Sequence, residues 1–342
     1  MSATHEPSSA RTFSVVGIDA IDPELEATLR DRLAAIEERL YTSVRTADPF
    51  VADAATHLVD AGGKRFRPLL VMLAAQFGEN PTAPEVADAA VVVELTHLAT
   101  LYHDDVMDEA PVRRGAPSAN SRWTNTVAIL TGDYLFAQAS DIVAALGPEA
   151  VRIQARTFSR LVHGQIRETT GPRAGDDPLE HYRYVLKEKT GSLIATSARF
   201  GGMFSGAAPE VVETLAECGE IIGIAFQLSD DILDIASEST ESGKTPGTDL
   251  REGIATLPVL YALAADDEVG HRLRQIVDGP ITDEALLAEA LRLLRTCEAM
   301  ERARKTLRDY ADAARALVAK LPDRPARGAL EGLCTFVVER TG

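Results

Sequence analysis

Residues 84–108 read PEVADAAVVVELTHLATLYHDDVMD, and this stretch decides the fold. It opens on Pro84, holds no glycine or internal proline, and keeps a helical pattern until Pro111 stops it, which predicts one helix of about 37 Å at 1.5 Å per residue. Its end is Asp104-Asp105-Val106-Met107-Asp108. A second helical stretch, from Pro209 to about Ser237, carries Asp230-Asp231-Ile232-Leu233-Asp234 near its own end. The first and fifth residues of such a pattern share a helix face, so each copy aims carboxylates into one small volume. At ~6 Å and an effective dielectric of ~20, each like-charged pair costs roughly 3 kcal/mol. Acids at a helix C-terminus also oppose the macrodipole. Both costs make sense where cations reside, and clustered carboxylate oxygens suit magnesium, which keeps several waters and is often shared with a substrate's phosphates.

Helical signals extend outward from these two stretches. Asp22 caps a helix with Pro23 at its first position, and Leu25, Leu29, Leu33, Ile36, Leu40 and Val44 form one apolar stripe. Asp48-Pro49 starts another helix, which Gly62-Gly63 ends just before the basic run Lys64-Arg65-Phe66-Arg67-Pro68. Further helical stretches cover roughly 121–146, 148–168, 187–203, 254–265, 283–295, 298–320 and 326–340. No strand pattern stands out, and 171–177 and 238–253 read as loops rich in Gly, Pro, Thr and Asp. Aromatics are only 5% of the 342 residues while alanine and leucine dominate, which favours helix packed on helix. The prediction is an all-α fold, with residues 1–20 a flexible tail and 21–342 one domain.

A net charge of -17 argues against nucleic acid and anionic lipid as partners. Cys218, Cys297 and Cys334 are scattered without CxxC spacing, which fits neither a disulfide framework nor a zinc site, and they read as small buried residues in a reducing cytosol. The start of the chain has no apolar core segment of the signal-peptide kind, and no apolar run approaches the ~20 residues of a membrane span. A soluble, cytoplasmic protein is expected. Lys64, Arg67, Arg113, Arg114, Lys189 and Lys244 supply cations near the acids or at helix ends, and so many counter-charges point to a polyanionic ligand such as a diphosphate.

In these motifs the chain resembles an all-trans polyprenyl diphosphate synthase of the isoprenyl diphosphate synthase family. The resemblance covers most of residues 55–262 and rests on several motifs in order: Gly62-Gly63-Lys64-Arg65-Phe66-Arg67-Pro68; His103-Asp104-Asp105-Val106-Met107-Asp108 continuing to Arg113-Arg114-Gly115; Lys189-Thr190-Gly191-Ser192; Phe226-Gln227-Leu228-Ser229 before the second acidic pattern; and Gly243-Lys244. It implies a single-domain helical bundle around a central cavity. It also implies a head-to-tail 1'-4 condensation of isopentenyl diphosphate with an allylic diphosphate, with about three Mg2+ ions holding the allylic diphosphate. Asp104, Asp108 and Asp230 would be the direct metal ligands, with Asp105, Asp231 and Asp234 supporting. Arg113, Lys189, Thr190, Gln227 and Lys244 would hold the allylic diphosphate, with Thr190 and Gln227 turning oxygen dipoles towards the cation. Lys64, Arg67, His97 and Arg114 would hold isopentenyl diphosphate. The resemblance further implies a homodimer and a lipid product for a quinone side chain, such as that of menaquinone.

Ile254 departs from the pattern, since many relatives carry lysine there, and it removes one expected diphosphate contact. Ala99 and Thr100 stand where early-terminating relatives place a bulky aromatic. Small side chains there would let a growing tail pass along Leu95 and Val92, which predicts a product of six to ten units, with a farnesyl or geranylgeranyl diphosphate synthase as the alternative. A terpene cyclase of the same fold would carry Asn, Ser or Thr with Glu in its second motif. A His-Asp phosphohydrolase, suggested by His97 and His103-Asp104, would leave the duplicated pattern and the basic residues unexplained, and a non-catalytic partner subunit would have lost its acids. Bland readings also stand: His97 alone is an ordinary core histidine, Ala99 and Thr100 are close-packing positions, and Asp133 and Asp141 are structural.

Overall fold

The structure, a computed structural model, describes residues 22–237 and 246–340, so the tail expected at residues 1–20, the loop at 238–245 and Lys244 lie outside the described residues. Sixteen helices are described. In chain order the first seven are α1 (Pro23–Val44), α2 (Pro49–Asp60), α3 (Phe66–Ala75), α4 (Pro84–Met107), α5 (Ala119–Arg122), α6 (Asn125–Ala145) and α7 (Pro148–Thr170). After them come α8 (Pro178–Val185), α9 (Ser192–Phe204), α10 (Pro209–Ala236), α11 (Thr248–Glu252), α12 (Leu257–Ala264) and α13 (Glu268–Ile276). The last three are α14 (Glu284–Thr296), α15 (Glu298–Val318) and α16 (Pro325–Glu339).

The starts follow local chemistry. α1, α2, α4, α7, α8, α10 and α16 begin on proline, whose fixed φ suits the first helical position and whose missing N–H costs nothing there. Asp22 and Asp48 accept hydrogen bonds from first-turn backbone N–H groups, as expected of N-caps. Leu25, Leu29, Ile36, Leu40 and Val44 are the buried stripe of α1.

Four departures from the sequence reading bear on the site. α3 was not expected; its sequence FRPLLVMLAA is apolar all round because Pro68 to Ala75 are all buried, so no amphipathic period marks it. Val112–Arg113 and Ala116–Pro117 form a two-stranded antiparallel hairpin, β1 and β2, where no strand was expected. The stretch expected as a helix at 187–203 begins as a π-helical turn, Leu186–Gly191, before α9. Part of the expected loop at 238–253 is the short helix α11. α8 and α13 were also missed.

The buried side chains divide between two clusters that meet along α10. One gathers α1 to α7, α9, the first half of α10, the end of α15 and most of α16; the other gathers α8, α11 to α14, the first half of α15 and the second half of α10. α4, α6, α7 and α9 form a ring: α4 packs on α6 and α9, α7 packs on the same two helices, and α4 and α7 stand diagonally opposed. Two close approaches fix the π-helical turn. A Cβ on Gly164 of α7 would lie 2.5 Å from the Lys189 nitrogen, and one on Gly223 of α10 would lie 2.9 Å from the Gly191 Cα. Glycine at both places lets the turn wedge between α7 and α10 at backbone contact. Cys218, Cys297 and Cys334 are free thiols. No helix among the described residues is long and apolar enough to cross a membrane.

Candidate active site

The first acidic cluster closes α4. Asp105 is fully buried; Arg113, from the hairpin, donates its Nε–H to Asp105 Oδ1 at 2.6 Å, and the other carboxylate oxygen of Asp105 has no partner. Arg113 also stands 3.7 Å from the exposed Asp108 carboxylate. Desolvation raises the Asp104 pKa to about 6 although Lys189 and Arg113 pull the other way, and Asp108 is raised for the same leading reason.

The second cluster is wired differently. Asp231 is buried and held at both oxygens: Gln227 Nε2 donates to Oδ1 at 2.9 Å and the Tyr182 hydroxyl donates to Oδ2. Burial still brings its pKa to about 6. Thr190 donates to Gln227 Oε1 at 3.3 Å, so a chain of hydrogen bonds runs from the π-helical turn through Gln227 and Asp231 to α8. Asp234 caps α11, accepting from the Thr248 and Asp249 N–H groups at 3.1 and 3.2 Å. Asp230 pairs with Arg340 at the end of α16, whose guanidinium lies 4.5 Å from the Phe226 ring centroid.

Two acids that the sequence reading passed over join these groups. Glu168, in the last turn of α7, pairs with Lys189, and its charge acts on Asp104 and Asp108 on one side and on Asp231 and Asp249 on the other. Asp249 on α11 is pushed up to about 8, by burial first and then by Asp231 and Asp234. Burial lowers the pKa of Lys189, but Glu168 and Asp104 outweigh that and leave it raised. Glu168 thus links the two acidic clusters, and among the described residues Lys189 and Arg113 stand beside the first and Arg340 beside the second.

A basic pocket lies beside these groups. Arg67 is half-buried, its Nε has no partner, and desolvation lowers its pKa to about 10. His97 is held neutral, by burial foremost and then by the charges of Arg67 and Arg114. Arg114 donates to the Leu58 carbonyl at 3.1 Å and to the Gly62 carbonyl, which ties the hairpin to the loop that carries the exposed Lys64. Arg65 and Glu94, also missed, organise this loop. Arg65 adopts a left-handed backbone (φ 47°), grips Glu37 through two bonds of 2.6 Å, and reaches the buried Glu94 at 3.1 Å.

Thr100 spends its hydroxyl on the His97 carbonyl at 2.7 Å, and Ala99 is fully buried with its carbonyl against Gly132 of α6. Leu95 and Val92 are fully buried as well. Ile254 is exposed and follows Gly253, the residue that ends α11. Asp133 lies 3.4 Å from His103, an ordinary surface pair.

Among the described residues no three His, Cys, Asp or Glu side chains form a preassembled metal site. The residues nonetheless fit magnesium. The available donors are carboxylate oxygens, one buried oxygen of Asp105 lacks a partner, and magnesium binds through one or two carboxylates plus substrate phosphates rather than in an all-protein cage.

The family model described as polyprenyl synthetase matches residues 48–294. The chain is 54% identical to a nonaprenyl diphosphate synthase of Mycobacterium tuberculosis, over 96% of this chain and 98% of that one. It is 45% identical to a dimethylallyltranstransferase of the same organism, over 93% and 96% of the two chains. A crystal structure of a geranylgeranyl pyrophosphate synthase from Corynebacterium glutamicum, complexed with calcium and isoprenyl diphosphate, superposes with a TM-score of 0.85 at 48% identity and covers 94% of this chain and 98% of that one.

Proposed function

The chain belongs to the polyprenyl synthetase family, and on that premise we propose that it extends an allylic diphosphate with isopentenyl diphosphate to an all-trans polyprenyl diphosphate of about six to ten units. The observation that carries this reading is that Glu168, paired with Lys189, acts on both acidic clusters, while Lys189 and Arg113 act on the first, beside a pocket of Arg67, His97 and Arg114. One volume can hold a metal-bound diphosphate and the other a second diphosphate.

Asp104, Asp108 and Asp230 would hold about three Mg2+ ions, with Asp105, Asp231 and Asp234 behind them. Bound there, the ions neutralise charge building on the departing pyrophosphate. Arg113 is oriented for the allylic diphosphate by Asp105, and Lys189 reaches it by exchanging Glu168 for phosphate oxygen. Lys244 is assigned to the same group by its motif alone. As the carbon–oxygen bond ionises, the Thr190 hydroxyl oxygen and the Gln227 carbonyl oxygen present their dipoles to the allylic cation. The Gln227 amide is fixed in that sense because its NH2 end is committed to Asp231. Isopentenyl diphosphate lies on Lys64, Arg67, Arg114 and the neutral His97, which can donate one ring N–H. Its alkene attacks C1 of the cation, and the adjacent proton leaves to the released pyrophosphate, so no side-chain base is required. A homodimer in the cytoplasm making a quinone side chain such as that of menaquinone is the setting this activity suggests.

The test is incubation of the purified chain with labelled isopentenyl diphosphate, farnesyl diphosphate and Mg2+, followed by chromatography of the products. Products of six to ten units, abolished by chelation, are expected. Termination at three or four units would overturn the length, and no incorporation would overturn the activity.

A further inference from the structure

Lys189 and Thr190 reach the site from a π-helical turn, a rare winding found mostly at functional positions, and two helices hold it from either side. α7 presents Arg160, Gly164 and Glu168 at four-residue steps, hence on one face. Gly164 takes the turn at backbone contact and Glu168 pairs with the Lys189 ammonium. Arg160 grips Glu188 with two parallel bonds, Nε to Oε2 at 2.9 Å and Nη2 to Oε1 at 2.8 Å. α10 presents Glu220, Gly223 and Gln227 at steps of three and four. Gly223 meets the Gly191 Cα, and Gln227 accepts from the Thr190 hydroxyl at 3.3 Å.

One guanidinium joins the two faces. Arg160 Nη2 also donates to Glu220 Oε1 at 2.6 Å, so the residue just before Lys189 is fastened to α7 and α10 at once. Lys187 adds a looser contact to Glu220 at 3.5 Å, and Ser192 donates to the Glu188 carbonyl at 2.6 Å. The Glu188 side chain is only 12% exposed, which places this forked, charge-assisted pair above an ordinary surface ion pair in strength. An α-helical turn over the same residues would rotate each by about 100° for every residue of slip. Lys189 and Thr190 would then leave Glu168 and Gln227.

We propose that Arg160 is a positioning residue for the allylic diphosphate site: by clamping Glu188 to Glu220 it keeps the π-helical turn wound and holds Lys189 and Thr190 in register with the acidic clusters. This rests on the proposed prenyl-chain elongation. Arg160 acts through the turn and not on the substrate, so its loss falls on the allylic half of the reaction and spares the pocket of Arg67, His97 and Arg114.

The test measures steady-state kinetics, with farnesyl diphosphate and isopentenyl diphosphate varied in turn, for the full chain, Arg160→Gln and Arg160→Lys. Arg160→Gln should lower kcat/KM for farnesyl diphosphate by about 10- to 100-fold, as misplacement of a reacting group does. The KM for isopentenyl diphosphate should stay within about two-fold. Arg160→Lys keeps the charge without the fork and should recover part of the loss. Titration with a non-ionising allylic diphosphate analogue and Mg2+ completes a double-mutant cycle: Arg160→Gln should weaken binding in the unaltered chain, but by no more than about two-fold where Lys189→Ala is already present. Equal weakening on both backgrounds, an equal rise in both KM values, or unchanged kinetics in Arg160→Gln would overturn the positioning role alone. No incorporation by the unaltered chain would overturn elongation and the positioning role together.

Discussion

The two acidic patterns differ by only two apolar residues in sequence, yet they are held in opposite ways. In the first, the central Asp105 is satisfied at one oxygen by a cation, Arg113, that is itself a candidate substrate ligand. In the second, the central Asp231 is satisfied at both oxygens by neutral donors, Tyr182 and Gln227, and its neighbour Asp234 is spent on capping α11. The first cluster is thus wired to respond to a diphosphate through Arg113, while the second is a fixed wall with Asp230 at its edge. One pentapeptide on the C-terminal turn of a helix serves both ends because the middle aspartate turns inward in each case, although only in the second are both outer carboxylates also engaged, Asp230 with Arg340 and Asp234 with α11.

The strongest way to break this comparison is to remove one outer carboxylate from each side. Asp104→Asn and Asp230→Asn should each lower kcat on the order of 10²- to 10³-fold, since on the proposed mechanism each removes a carboxylate that would hold Mg2+ against the leaving group, and steady-state turnover measures it. Tyr182→Phe sharpens the comparison, for it touches only the fixed wall. It should cost about 10- to 100-fold in Mg2+ affinity or turnover, as loss of a group that orients a metal ligand set commonly does, and leave the KM for isopentenyl diphosphate unchanged. Leaving Asp231 one buried bond short should also cost about 1–3 kcal/mol of stability, read by denaturant unfolding.

A smaller effect follows from pH. Asp104 and Asp231 have folded pKa values of about 6 and Asp249 of about 8, all above the ordinary 3.8. Between those values the folded state binds more protons than the unfolded one, so stability of the metal-free protein is greatest at low pH within this range and falls as pH rises. For Asp104 and Asp231 the fall runs from about pH 4 to 6, and for Asp249 it continues to about pH 8. Thermal melts in EDTA should lose a few degrees across that window, and Mg2+ with a diphosphate should restore more at pH 8 than at pH 5. Smallest of all, Glu168→Gln should change turnover only a few-fold, because it frees Lys189 while removing a repulsive charge from both clusters.

Much of this was legible in the sequence. The proline and aspartate starts, the stripe of α1 and the two long acidic helices act locally, through caps and periodicity, and the structure repeats them. α3 escaped because burial all round erases periodicity, and α8 because eight residues hold too few turns to show one. The π-helical turn arises from contacts of Gly164 and Gly223, far from it in sequence. The site divides the same way. The motif aspartates announced themselves by repetition, whereas Glu168, Asp249, Tyr182 and Arg340 are single residues with no local pattern, brought in by packing alone. The one available signal for Asp249 was its place in the polar stretch after the second cluster.

The most direct test of the account is isothermal titration of Mg2+ into the protein with and without a non-ionising allylic diphosphate analogue, repeated for Asp104→Asn and Asp230→Asn. If both clusters act on one diphosphate, tight Mg2+ binding should appear only with the analogue present and should be lost in both variants. Unchanged analogue-dependent binding in Asp230→Asn would contradict the convergence of the two clusters.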